Sequence, residues 1–115
     1  MASKPLLYVA GSLRSDIPGY IANCSRMIKF AEAVRREGFA VYVPCLDFLQ
    51  GIVMGDMQFH DYFDNSFAVL ERCDGLILTP GYEGSVGTQK EIIKTKMLCK
   101  PVFESIERAK NYYKI

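Results

Sequence analysis

Leu6-Leu7-Tyr8-Val9-Ala10 is an unbroken apolar run that stops at Gly11. A strand covered on both faces has this pattern, whereas a half-exposed strand alternates apolar and polar residues. The run predicts a buried parallel strand, and parallel strands need crossover connections. The residues downstream supply them. Residues 18–37 predict a helix with Ile21, Cys24, Ile28 and Ala31 on one face, widened by Met27, Phe30 and Val34. Gly38 is its stop signal. FAVYV at 39–43 predicts a second strand, ended by Pro44. Residues 45–59 hold Gly51 and Gly55 and predict a long loop with room for one helical turn. A helix follows at 60–72 with Phe63, Phe67 and Leu70 inward, then a strand at 75–79. A helix at 88–99, a short strand at 101–103 and a closing helix at 104–113 complete the chain.

This alternation predicts an α/β fold: a small doubly wound parallel sheet, flavodoxin-like or Rossmann-like, in strand order 2-1-3-4. The 115 residues fit one domain, 1–115. Half the residues are hydrophobic and 23% are charged, which excludes a disordered tail. Fourteen basic against thirteen acidic residues demand neither nucleic acid nor an anionic membrane as partner. The apolar runs are too short to span a bilayer, and the N-terminal pattern predicts no signal peptide. The cysteines, Cys24, Cys45, Cys73 and Cys99, form no CxxC pair and read as buried free thiols of a cytoplasmic protein. No metal or cofactor is expected. The single histidine, His60, has no nucleophile motif beside it and reads as exposed or helix-capping.

In a doubly wound sheet the ligand binds beyond the carboxyl ends of the strands, where the chain leaves the first strand in both directions. Two loops border that point. The first is Gly11-Ser12-Leu13-Arg14-Ser15, where close backbone approach, a hydroxyl and a guanidinium suit a phosphate or carboxylate. An ordinary polar turn with a solvated arginine has the same spacing. The second is Gly84-Ser85-Val86-Gly87-Thr88, running into a helix with Glu91 in its first turn. It lacks the lysine of a P-loop, and the chain has no GxGxxG. Thr88-x-x-Glu91 matches a capping box, which is the plainer reading of the glutamate. On the other reading Glu91 faces the crevice, ionised by the helix dipole, as a carboxylate nucleophile.

Tyr8-Val9-Ala10-Gly11-Ser12-Leu13-Arg14, Cys73-Asp74-Gly75-Leu76-Ile77-Leu78 and Ser85-x-Gly87-x-x-x-Glu91 together resemble the nucleoside 2-deoxyribosyltransferase-like superfamily. The Gly-Ser-x-Arg turn, with a serine ahead of the glutamate, is most similar to its nucleoside 5′-monophosphate N-glycosidases. The resemblance implies Glu91 as nucleophile, Tyr8 beside it, and Ser12, Arg14 and Ser85 as phosphate ligands with Gly11 and Gly87. Without it, Tyr8 is a β-former in a strand. The implied substrate is a small nucleotide or nucleoside.

The chain departs from that family where an acid should protonate the departing base. An aspartate is expected on the inner face of the 60–72 helix, and Ser66 stands there. Asp64 and Asp61 are near but out of helical phase, with Asp64 the candidate acid. Ile92 and Ile93 replace a small glycine. The family also closes its site with a neighbouring subunit's C-terminal residues. Asn111, Tyr112 and Tyr113 could serve, within a homodimer or larger homo-oligomer. A module that binds nucleotides without turnover, having lost the acid, is the alternative.

Overall fold

The computed structural model describes residues 3–13 and 17–115. Strand β1 is Leu6–Ala10, β2 Ala40–Tyr42, β3 Gly75–Leu78 and β4 Val102–Phe103. They form a parallel sheet in the order β2-β1-β3-β4, as the apolar runs predict. Around it lie helices α1 (Ile17–Arg36), α2 (Asp47–Met54), α3 (Phe59–Leu70), α4 (Val86–Met97) and α5 (Ile106–Tyr113).

β1 is central because both its edges are paired: Leu7 lies opposite Val41 on one side and Gly75 on the other. Its side chains alternate between the faces. Leu7 and Val9 pack with Met27, Ala31, Val34, Ile77 and Ala109 on one face. Tyr8 and Ala10 pack with Leu70, Cys73, Leu76 and Leu78 on the other. Every β3 residue is buried. Asp74 fixes the start of β1: its carboxylate accepts the Leu6 N–H at 2.7 Å while its own N–H donates to the Leu6 carbonyl at 2.8 Å. Lys100 closes the end of α3, where its ammonium donates to the carbonyls of Leu70, Glu71 and Cys73.

The structure corrects several expectations. Residues 45–59 are not mainly loop: a 3-10 turn, Pro44–Leu46, leads into the eight residues of α2. The buried stripe of α1 is Met27, Ala31 and Val34, while Ile21 and Ile28 are exposed, because the helix is rotated toward the i, i+4, i+7 set that begins at Met27. Cys45 and Cys73 are buried free thiols and Cys24 is half-buried, but Cys99 is exposed in the turn after α4. No described helix is long and apolar enough to cross a membrane.

Candidate active site

A crevice of about 970 Å³ opens over the carboxyl end of β1, between the β1–α1 loop, α2, α3 and the start of α4. That volume is in the range of small-molecule sites. Tyr8, Gly11, Ser12, Ser85, Gly87 and Glu91 all line it. The two loops singled out by topology therefore meet in one site.

The floor is built by β1 and α4. The pleat turns Tyr8 away from Leu7 and Val9 and toward α4, leaving its ring buried. Its hydroxyl donates to Glu91 Oε2. Helix α4 begins at Val86, two residues ahead of Thr88. Ser85 is the N-cap, accepting the Thr88 N–H at 3.1 Å and the Thr88 hydroxyl at 2.9 Å. The expected Thr88–Glu91 capping box is thus replaced by a Ser85–Thr88 cap. Glu91 lies in the second turn, and its side chain is left for Tyr8.

Burial pushes the Glu91 carboxyl up to about 7, and the Tyr8 hydrogen bond opposes the rise. The helix dipole therefore does not hold Glu91 fully ionised at neutral pH, because desolvation outweighs it. The Tyr8 phenol is held well above its usual value, first by burial and then by the Glu91 charge. It acts as a hydrogen-bond donor, not as a base.

Gly11 must be glycine at the rim: a β-carbon there would lie 2.8 Å from Cβ of Thr79. Ser12 is half-buried and donates to the Gly81 carbonyl at 3.1 Å, which ties the first loop to the second. Arg14 lies outside the described residues.

Asp64 is exposed on α3 and does not line the crevice, so helical phase takes it away from Glu91. Asp61 is committed to the α3 cap, where it accepts the Gln58 N–H at 2.8 Å. His60 is exposed beside it at 3.3 Å. The acid that does reach the crevice is Asp47, the first residue of α2. It accepts the Tyr42 hydroxyl at 2.9 Å, and the Tyr42 ring lies 5.4 Å from that of Tyr8. Ser66 is 8% exposed and lines the crevice at the place of the expected aspartate. Asp47 escapes the sequence reading because a residue in an unassigned loop has no helical phase to be judged by.

The outer walls are aromatic. Tyr20 and Phe48 pack 5.2 Å apart on one side, and Phe59 and Phe63 pack 4.9 Å apart on the other. Among the described residues no cluster of His, Cys, Asp and Glu could hold a metal ion.

No curated protein and no solved structure matches the chain. A family model described as "Domain of unknown function (DUF4406)" matches residues 5–104, from just before β1 to just after β4. With the whole sheet and both crevice loops inside that match, the chain belongs to the DUF4406 family.

Proposed function

We propose that the protein cleaves the bond between base and sugar of a nucleoside 5′-monophosphate, with Glu91 as the nucleophile. The observation that carries this reading is the Tyr8–Glu91 pair at the floor of a crevice of small-molecule size. Breaking an N-glycosidic bond builds positive charge on the sugar. A carboxylate under the anomeric carbon stabilises that charge and can trap it as an ester. Tyr8 donates to one oxygen and orients the other. Only the ionised carboxylate attacks, so the reaction needs a pH near or above about 7. Water then opens the ester and gives the sugar phosphate. A second base in place of water makes the reaction a deoxyribosyl transfer.

The 5′-phosphate fits the rim, where Gly11, Ser12, Ser85 and Gly87 line the crevice beside the first turn of α4. Arg14 on the same loop supplies the countercharge in this reading. The aromatic walls offer flat apolar faces to the base. A homodimer would cover the exposed apolar residues of α4, and the free thiols accord with a cytoplasmic setting.

The test is release of free base from a panel of nucleoside monophosphates, followed chromatographically. Wild type should release base and Glu91→Gln should release none. The exposed position of Asp64 favours a second reading, a nucleotide-binding module without turnover. Binding of monophosphates with no base released would select it.

A further inference from the structure

We infer that Lys90 is the acid of the proposed reaction: its ammonium takes up the charge of the departing base and protonates it, in place of the aspartate absent from position 66. The inference rests on the glycosidase reading.

Lys90 precedes Glu91 in the second turn of α4, and both line the crevice. Neighbouring helix residues diverge by about 100°. Glu91 turns to the floor, where Tyr8 holds it, and Lys90 reaches across to α3. Its ammonium lies 5.9 Å from the centroid of the Phe63 ring. Phe63 belongs to an aromatic row along α3, 4.9 Å from Phe59 and 5.0 Å from Phe67. Gly87, three residues before Lys90, brings α4 close to that row: a β-carbon there would lie 3.5 Å from Cζ of Phe63. The cation, the aromatic wall and the nucleophile thus share one corner of the crevice. In the glycosidase reading the base lies on that wall with the ammonium at its edge.

Charge singles out the same residue. Among the described residues that line the crevice, the charged side chains are Asp47, Lys90 and Glu91, and Lys90 is the one cation. Lys94, one turn on, pairs with Glu71 at 3.2 Å. Lys90 has no such carboxylate among the described residues and rests on the Phe63 face. Asp47 accepts the Tyr42 hydroxyl, and the Tyr8 hydroxyl is committed to Glu91. A cation held beside an aromatic wall suits a group that becomes negative during the reaction.

In the first step the base–sugar bond breaks, and its electron pair stays on the base nitrogen. The Lys90 ammonium gives the base a proton, and Glu91 forms the ester bond to the anomeric carbon. In the second step water attacks that carbon, its proton goes to the Lys90 amine, and Glu91 leaves as the carboxylate. Lys90 and Glu91 both return to their starting states.

The test compares leaving groups in Lys90→Met, which keeps an apolar stem over Phe63 and removes the ammonium. Lys90 is exposed, so the melting temperature should hardly move. With the base that wild type releases, kcat should fall by about 100-fold or more and KM should stay nearly unchanged, as loss of acid catalysis does. The loss should nearly vanish for a 5′-monophosphate whose base leaves without a proton: N7-methylguanine in place of a purine, 5-nitrouracil in place of a pyrimidine. Equal losses with both leaving groups, or no loss, overturn the inference and leave the glycosidase reading standing on wild-type release. A loss confined to affinity for the monophosphate, with the bare nucleoside unaffected, would place Lys90 at the phosphate and overturn its role as acid. A wild type that releases base from none of these substrates overturns the glycosidase reading and the role of Lys90 with it.

Discussion

Gly51 of α2 faces the Tyr62 hydroxyl of α3 so closely that a β-carbon on Gly51 would lie 1.7 Å from the phenolic oxygen. This contact seats the wall that carries Asp47 and Phe48 against the wall that carries Phe59 and Phe63. Gly51→Ala gains roughly 1 kcal/mol of helix propensity. The overlap outweighs that gain, because overpacking costs about 1–3 kcal/mol. We expect a lower melting temperature and weaker nucleotide binding. In a Tyr62→Leu background the same substitution should be neutral or stabilising. Equal losses in both backgrounds would show that the contact does not seat α2.

The raised Glu91 carboxyl makes a signed prediction for stability. Its folded value, about 7, lies above the ordinary 4.5, so the native state holds a proton that the unfolded chain releases. Stability from this group is complete below about 4.5 and is lost as pH rises through about 7. Glu91→Gln removes the titration. The variant should melt close to wild type at pH 4 and above it at pH 8, by up to about 3 kcal/mol. Base release should be lost at every pH. A melting difference independent of pH would contradict the burial of this carboxyl.

Ser85 has two roles that substitution can part. Ser85→Ala loses the α4 cap and should cost about 1 kcal/mol in thermal or chemical unfolding. Ser85→Asp keeps a capping oxygen but places a negative charge at the rim. It should preserve stability and weaken a nucleoside monophosphate by at least about tenfold relative to the bare nucleoside. Arg14→Ala should show the same selective loss of the monophosphate, without the repulsion. Calorimetric titration of both ligands measures each effect, and a parallel loss of nucleoside would remove the phosphate from this rim.

Val86, Ile93 and Met97 recur on one side of α4 and are 71%, 60% and 75% exposed. A homodimer through this stripe would explain it. Met97→Glu should leave the fold intact and shift light scattering from dimer to monomer at micromolar concentration. A wild type that is already monomeric excludes the interface.

Strand order was legible because β1 and β3 are buried on both faces, so their apolar runs stand out against any alternative. Helix α2 was not. It is eight residues long and buries none of them, so its apolar Phe48, Leu49, Ile52 and Val53 are exposed and the glycines within and after it dominate the pattern. Gly51 and Gly55 then read as loop, although Gly55 ends the helix and Gly51 admits Tyr62. The start of α4 was misplaced for a local reason. Ser85 and Thr88 are both good caps, and only the packing of the first turn chooses between them. Gly11, Ser12, Ser85 and Gly87 were legible as crevice loops because strand ends converge in this topology, whereas Tyr8 and the role of Glu91 came from the family resemblance. Ser66 was placed on the inner face of its helix through the resemblance, whereas Asp47 depends on how α2 sits over the sheet, and that is a tertiary property.

The contrast between β1 and α2 sets two timescales for one site. β1 is hydrogen-bonded along both edges and buried, so its amides should exchange with solvent deuterium only through global opening. α2 has no buried residue and should exchange through local opening at far lower energy. Glu91 and Tyr8 thus wait in a fixed place, while Asp47 arrives with the helix. Occupancy of the crevice should slow exchange in α2 and leave β1 unchanged.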